Sequence, residues 1–237
     1  MRVLAIDSSG LTATVAIVED DTTIAEFTIN YKKTHSQTLL PMIDEMVKMV
    51  EADLNTIDAI AVAGGPGSFT GLRIGSATAK GLGLALGKPL IHIPTADAMA
   101  YSIYGCEDII CPIMDARRNQ VYAAFYMWEN GKLIRLTDHM AESIERVIEI
   151  AEMLEHEVIF LGDGVPVHRE RLEQNPAFLF APAHCNMQRA SAVAALGAIM
   201  AEEGLAKPGN AFELIYLRKS QAEREREARL AKEEAGE

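Results

Sequence analysis

Two acidic turns carry residue types that could hold a phosphate group. Asp7-Ser8-Ser9-Gly10 has small residues that would let the backbone approach an anion, and its carboxylate could hold a magnesium-bound water. The matching turn near the middle of the chain, Asp115-Ala116-Arg117-Arg118-Asn119, has two arginines where close approach would need glycine. They could pair with phosphate oxygens but would also block the cradle. We predict that Asp7, Ser8, Ser9 and Arg118 could contact a nucleotide or another anion, without ATP hydrolysis.

Other patterns that could carry chemistry are weaker. The glycine-rich stretch 64–71 lacks the Gly-Lys-Ser/Thr ending of a Walker loop, so a tight turn with Thr70 capping the next helix explains it. None of the six histidines lies three or four residues from another, which excludes a two-histidine metal motif on a helix. We therefore predict no catalytic residue and no metal ligand. The Gly162-Asp163-Gly164 turn could contact adenosine, or simply join a strand to a helix.

Composition narrows the class of protein. The net charge of −12 disfavours direct binding of nucleic acid, because nucleic-acid affinity depends on lysine and arginine neutralising phosphates. No apolar run approaches the roughly 18 to 20 residues that span a bilayer. The three cysteines, Cys106, Cys111 and Cys185, form no CxxC pair and fit a reducing compartment. These features predict a cytoplasmic protein that has no membrane partner.

The two long helices predicted in the first half have unusual faces. Apolar residues of the helix at 36–52 cover roughly 180° of its circumference, wider than the ~100° stripe that one core-facing contact needs. The next helix carries small residues four apart, which suits close approach of another backbone. That backbone could belong to the chain's own sheet or first helix, or to another protein. We predict a partner interface from both helices, formed by Leu39, Leu40, Ile43, Met46, Val47, Val50, Gly71, Gly75, Ala79 and Gly83.

The order of the elements predicts the fold. The first half is expected to form strands at 2–7, 12–18 and 23–30, a helix at 36–52, a strand at 57–63, a helix to 86, a strand at 89–93 and a short helix to 101. The second half repeats this order with strands at 109–114, 121–128 and 132–139, a helix at 142–154 and a strand at 158–161, followed by a helix at 189–203. Two such β-β-β-α-β-α lobes in tandem describe the α/β actin-like ATPase fold of sugar kinases, chaperone ATPases and actin, which is ribonuclease H-like. We predict lobes at 1–104 and 105–217, and a charged helical tail at 218–237.

Several motifs resemble the TsaB family. They are D-S-S-G at 7–10, H-S-Q-T-L-L-P at 35–41, G-G-P-G-S-F-T-G-L-R-I-G at 64–75, D-A-R-R-N-Q-V-Y at 115–122 and Y-L-R-K-S at 216–220. The resemblance implies a non-catalytic paralogue of TsaD, the metal-dependent subunit that transfers threonylcarbamoyl to adenosine 37 of transfer RNAs reading codons that begin with A. Thr95 and Met99 stand where the two metal-binding histidines of TsaD would be, so the resemblance also implies a lost metal site.

The same resemblance implies partners. The chain would bind TsaD, or a second copy of itself, through the two first-lobe helices, and would help recruit the ATPase TsaE. Transfer RNA would be reached only through the complex. We expect no cofactor on the isolated chain, whereas ATP and magnesium could bind at the complex interface. The alternatives are an active enzyme of the same fold, either a small-molecule kinase or a metallopeptidase, and a stand-alone transfer RNA chaperone.

Overall fold

The first lobe is a five-stranded mixed sheet with helices on both faces. The computed structural model describes residues 1–31, 33–208 and 213–217. Its first-lobe elements are β1 (Arg2–Asp7), β2 (Ala13–Glu19), β3 (Thr22–Ile29), α1 (His35–Met49), a 3-10 turn (Leu54–Thr56), β4 (Ala59–Ala63), α2 (Phe69–Leu86), β5 (Leu90–Ile93) and α3 (Thr95–Tyr101). The strand order is β3-β2-β1-β4-β5; β1, β4 and β5 pair in parallel, and β2 pairs antiparallel with both β1 and β3.

The second lobe repeats this plan. Its elements are β6 (Ile109–Asp115), β7 (Gln120–Ala123), β8 (Tyr126–Glu129), β9 (Lys132–Arg135), β10 (Met140–Ser143), α4 (Ile144–Met153), β11 (Val158–Leu161), α5 (Gly164–Leu172), β12 (Phe178–Phe180) and α6 (Ala190–Glu202). The main strand order, β10-β7-β6-β11-β12, matches that of the first sheet strand for strand, with β8 and β9 added as a side hairpin. The internal repeat predicted from the order of elements is therefore confirmed.

β4 and residues 3–6 of β1 are apolar at every position because both faces of the first sheet are covered. Leu4, Ile6 and Val62 point to the face covered by α1 and α2, whereas Val3 and Ala5 point to the face covered by α6. This two-sided burial explains why β1 and β4 read as continuous apolar runs in the sequence.

Two predicted strands in the second half were wrong in extent. The run 121–128 divides into β7 and β8, and the run 132–139 is shortened to β9, with β10 beginning at Met140. The division falls at Ala124-Phe125, where the Phe125 N–H bonds the Thr137 hydroxyl at 3.1 Å and its carbonyl accepts from Leu136 at 2.7 Å. These bonds end β7 and start the side hairpin, in which β8 pairs with β6 through Tyr126 and Ile110 and with β9.

The predicted lobe boundary needs correction at its C-terminal side. Helix α6 lies within the range 105–217, yet it packs on the first-lobe sheet. Its beginning is fixed by Glu26 of β3, which accepts bonds from Ser191 N–H at 2.9 Å, from the Ser191 hydroxyl at 2.8 Å and from Arg189. After α6, the backbone of Lys207 forms an isolated antiparallel β-bridge with Leu90 of β5. The second lobe therefore ends before α6, and the predicted tail at 218–237 lies outside the described residues.

Candidate functional site

A cleft of about 840 Å³ lies between the lobes, where the turns after β1 and β6 face each other. The first lobe contributes Ser9 and Leu11, and the second lobe contributes Asp115, Arg117 and Asp163. Because β1 and β6 occupy equivalent central positions in matching sheets, their C-terminal turns meet at one opening. This is the place where the two acidic turns could act on one ligand.

The first turn is folded in on itself. Asp7, Ser8 and Ser9 are all almost completely buried, and only Ser9 lines the cleft. Asp7 Oδ1 accepts the Ser9 N–H at 2.8 Å and the Ser9 hydroxyl at 2.6 Å, while Oδ2 has no partner among the described residues. Burial raises the pKa of Asp7 to about 6, and the two Ser9 bonds oppose this shift. The Asp7 carboxylate is therefore shielded from the cleft.

The second turn has the same internal bond, since Asp115 Oδ1 accepts the Arg117 N–H at 2.8 Å. Arg117, Arg118 and Asn119 all adopt left-handed backbone conformations, with φ of 63°, 56° and 60°. Three such non-glycine residues in a row form a strained turn. Arg117 lines both the cleft and a second concavity of about 620 Å³, whereas Arg118 lines only the second, together with His168 of α5.

The predicted anion-binding set is therefore not brought together. Asp7 and Ser8 lie beneath the cleft wall, Ser9 borders the cleft, and Arg118 belongs to the neighbouring concavity. The sequence placed all four at the turns, but it could not show which side chains the turns would direct inward.

Asp163 is a cleft residue that the sequence analysis did not include among the predicted site residues. It begins α5 as an N-cap whose side chain makes no capping bond. Instead, its Oδ1 accepts the Asp115 N–H at 2.9 Å, and the Leu11 backbone N–H also stabilises its negative charge. Burial nevertheless raises the pKa of Asp163. The signal in the sequence was the acidic residue between two glycines at the end of a strand.

The glycine-rich stretch 64–71 supports the first turn. Ser68, not Thr70, caps α2 by accepting the Gly71 N–H at 3.3 Å, so the predicted cap was wrong by two residues. The Ser68 N–H donates to the Ser9 carbonyl at 2.6 Å. A Cβ at Gly71 would lie 2.0 Å from the Ser8 carbonyl oxygen. Glycine is needed here because α2 begins directly against the β1–β2 turn.

An aromatic and cationic group forms one rim of the cleft. The rings of Phe69 and Tyr216 lie 5.0 Å apart, and the Arg73 guanidinium stands 3.9 Å from the centre of the Phe69 ring. Ile215 N–H donates to the Gly64 carbonyl at 2.9 Å. The described C-terminal segment thus lies across the glycine-rich stretch, although residues 213–217 form no strand.

The residues at the TsaD-like metal position do not fit a metal ion. Thr95 and Met99 are both buried in α3, and neither offers the imidazole that such a site needs. Across residues 1–31, 33–208 and 213–217, no three histidine, cysteine, aspartate or glutamate side chains are grouped so that they could hold a metal.

The predicted partner face on α1 is corrected by its burial. Leu39, Ile43 and Met46 belong to the core between α1 and the sheet, and Val47 and Val50 are half-buried against that core. The wide apolar arc of the sequence is therefore used mostly inside the lobe. Among the large hydrophobic side chains of α1, Leu40 and Met49 are the exposed ones, and Asp44 and Lys48 form an ion pair of 2.6 Å between them on the outward face.

The small-residue stripe on α2 also faces inward. Gly71, Gly75, Ala79 and Gly83 are buried, and they lie against the β1–β2 turn, the sheet and β5. The close backbone contacts of these small residues are therefore made within the lobe, so the prediction that they form a partner interface was wrong.

The outward face of α2 carries a different small-residue row. Ala77, Gly81 and Ala85, again four apart, are exposed beside Leu84, which is 87% exposed. A Cβ built at Gly81 meets no atom within 4 Å.

Comparison with known proteins places this geometry in a family. The family model described as TsaD, tRNA N6-adenosine threonylcarbamoyltransferase, matches residues 22–225. The chain is 33% identical over 173 residues to the tRNA threonylcarbamoyladenosine biosynthesis protein TsaB of Bacillus subtilis, which covers 73% of this chain and 76% of that protein. It is 31% identical over 186 residues to TsaB of Haemophilus influenzae, with 74% and 77% covered.

Solved structures agree with the two-lobed fold. A Pseudomonas aeruginosa protein described as similar to the peptidase YeaZ superposes with a TM-score of 0.78 at 25% identity, covering 92% of this chain and 99% of that one. Component A of (R)-2-hydroxyglutaryl-CoA dehydratase from Acidaminococcus fermentans gives a TM-score of 0.53 at 11% identity, over 85% of this chain and 99% of that one, which is a likeness of fold only. The fold is that of the actin-like ATPases, and the chain belongs to the TsaB family of tRNA threonylcarbamoyladenosine biosynthesis proteins.

Proposed function

We propose that this chain is the non-catalytic partner subunit of the threonylcarbamoyl transferase TsaD, acting on transfer RNAs that read codons beginning with A. The observation that carries the proposal is the outward face of α2, where Ala77, Gly81 and Ala85 flank the exposed Leu84. Small residues let a second helix approach closely, and burial of an exposed leucine by a partner lowers the free energy of the complex. We propose that helices of TsaD, or of a second copy of this chain, pack on this face.

The absence of catalysis is the second part of the proposal. The turn residues that would hold a nucleotide and its magnesium are buried or bonded within the chain, as Asp7 is to Ser9. Thr95 and Met99 cannot replace the paired imidazoles expected of TsaD. Stoichiometric ATP turnover by the isolated chain, lost in Asp7→Ala, would contradict this part.

The remaining steps would occur in the assembly, in the cytoplasm. The pair of subunits would recruit the ATPase TsaE, and ATP and magnesium would bind at the complex interface, not on this chain alone. Transfer RNA would bind the complex, which agrees with the net charge of −12 on this chain.

The proposed interface on the outward face of α2 can be tested by adding a bulky side chain or a charge there. Gly81→Leu adds a side chain where the chain itself has open space, so the fold should survive while a partner helix is held away. Leu84→Asp should weaken binding by placing a charge in the interface. We expect both variants to stop co-eluting with TsaD in size-exclusion chromatography.

A matched pair of methionines controls for surface charge. Met49 ends α1, the helix that packs against α2, and is 67% exposed, whereas Met153 ends α4 on the second lobe and is 68% exposed. Met49→Asp should weaken the complex, and Met153→Asp should not. Circular dichroism would show whether Gly81→Leu and Leu84→Asp are folded. If folded variants still co-elute with TsaD, the outward face of α2 is not the interface.

A further inference from the structure

Asp163 joins the two lobes across the bottom of the cleft. Its carboxylate accepts the N–H of Asp115, at the end of β6, and is also stabilised by the N–H of Leu11 in the β1–β2 turn. Asp163 itself is only 7% exposed. One buried side chain therefore bonds the backbone of the second lobe and lies close to a backbone N–H of the first, at the cleft that both lobes line.

The turn that carries Asp163 is built for close approach to β6. Gly162 has φ of 106°, and a Cβ there would lie 2.3 Å from the Ile113 carbonyl oxygen. A Cβ at Gly164 would lie 2.9 Å from the same atom. These two glycines let the β11–α5 turn lie directly on β6, and this brings the Asp163 carboxylate to the Asp115 N–H.

Three backbone N–H donors of the two turns are already bonded to carboxylates of the chain itself. In turns of this kind, successive N–H groups form a concave site for phosphate or carboxylate. Among the described residues, the Ser9 N–H bonds Asp7 at 2.8 Å, the Arg117 N–H bonds Asp115 at 2.8 Å, and the Asp115 N–H bonds Asp163 at 2.9 Å. Three of the chain's own carboxylates thus bind one N–H donor of the first turn and two of the second.

We propose that Asp163 is the resident anion of the interlobe cleft: its carboxylate takes the position between the two turns that a phosphate would occupy, holds the lobes together and excludes phosphate-bearing ligands from the isolated chain.

Electrostatics support the exclusion. A phosphate entering this cleft would meet the negative charges of Asp163 and Asp115 at short range. Among the lysine and arginine residues that line the cleft, Lys33 and Arg117, the guanidinium of Arg117 already lies 3.0 Å from Asp115 Oδ2. Displacing Asp163 would also leave a buried carboxylate without its N–H donors, which is costly. A nucleotide could reach these turns only after the β11–α5 turn has moved away from β6.

The test combines amide exchange with ligand binding on the full chain. Asp163→Ala removes the acceptor, so the segments 8–14 and 112–118 should exchange hydrogen for deuterium at least about tenfold faster than in wild type, as expected when a local tether is lost. Asp163→Asn keeps an acceptor oxygen without its charge and should give a smaller increase in both segments. Asp138→Asn makes the same change of charge at an exposed position of the second lobe and should leave both segments unchanged.

The second measurement is titration of wild-type protein with pyrophosphate in a calorimeter, where no saturable binding is expected at millimolar concentration. The proposal is overturned if folded Asp163→Ala exchanges at the wild-type rate in both segments. It is also overturned if wild type binds pyrophosphate and protects these segments. Should the alanine variant fail to fold, the asparagine variant decides, because unchanged exchange in both of its segments would equally exclude a tether. None of these readouts involves TsaD, so they stand apart from the docking test.

Discussion

Ser8 Oγ donates a 2.9 Å hydrogen bond to the carbonyl oxygen of Gly71, so the β1–β2 turn rests directly on the first turn of α2. A Cβ at Gly75, one turn further along the helix, would lie 2.6 Å from the same hydroxyl. The inward glycines of α2 therefore serve contact within the lobe, and their effects on stability should differ from those of the outward Gly81.

Gly71→Ala should destabilise the protein. The new Cβ would lie 2.0 Å from the Ser8 carbonyl oxygen, so the backbone of the turn or the helix must shift. Such overpacking costs about 1–3 kcal/mol of unfolding free energy, as measured by urea denaturation. Gly81→Ala is the control, because it has open space and should stabilise the helix by about 0.5–1 kcal/mol. Equal effects of the two substitutions would show that α2 does not press on the turn.

Asp7 should make stability fall as the pH rises. Its folded pKa is about 6, above the ordinary 3.8, so the folded state binds the proton more tightly than the unfolded state. The contribution is fully present below about pH 4 and is lost as the pH rises through about 6, a change of about 3 kcal/mol. Asp7→Asn cannot ionise, so its unfolding free energy should rise relative to wild type across this window. A difference that stays constant from pH 4 to pH 8 would mean that the Asp7 carboxylate is well solvated or well paired.

The overall fold could be predicted from the sequence because each lobe repeats one order of elements. The strands β1 and β11 and the end of α2 at Gly87 lie where the patterns placed them. The division of the run 121–128 into β7 and β8 could not be predicted, since it depends on bonds at Phe125 that no periodicity shows. The packing of α6 on the first sheet likewise depends on long-range contacts, such as those of Glu26.

The candidate site was less predictable. The apolar periodicity of α1 and the glycine spacing of α2 both indicate a closely packed helix, but neither shows whether it packs on the chain's own sheet or on another protein. Here Met46 and Ala79 pack on the chain's own sheet. In the cleft, the residue types of the turns were visible in the sequence, yet the bond from Asp115 to Asp163 spans 48 positions and needs the folded arrangement.

Tyr126→Phe should destabilise the junction between α3 and β8. The Tyr126 hydroxyl is buried and donates to Asp97 Oδ1 at 2.7 Å, close to His139 Nε2, which lies 2.7 Å from the same oxygen. Burial beside that carboxylate raises the pKa of Tyr126, which therefore keeps its proton and its bond. Losing a hydrogen bond to a charged group costs about 1.5–3 kcal/mol, as measured by thermal unfolding. Tyr104→Phe removes an exposed hydroxyl and should have no effect; equal shifts in melting temperature would exclude the Asp97 bond as the cause.

Ile215→Pro should loosen the C-terminal segment from the glycine-rich stretch. The Ile215 N–H donates to the Gly64 carbonyl at 2.9 Å, and proline has no N–H to offer. Leu214 packs against the first-lobe core and Tyr216 against Phe69, so these contacts should weaken as well. We expect faster amide exchange across residues 64–72 and a loss of about 0.5–1.5 kcal/mol in unfolding free energy.

Two controls separate the lost N–H bond from other effects of that substitution. Ile215→Ala keeps the N–H and removes a side chain that is 40% exposed, so it should leave exchange across residues 64–72 close to wild type. Glu213→Pro places proline two residues earlier, at an exposed position, and should also have little effect. If Ile215→Ala matched Ile215→Pro, the side chain and not the backbone bond would hold the segment. If neither Ile215→Pro nor Ile215→Ala changed the exchange, the glycine-rich stretch would keep its conformation without the C-terminal segment.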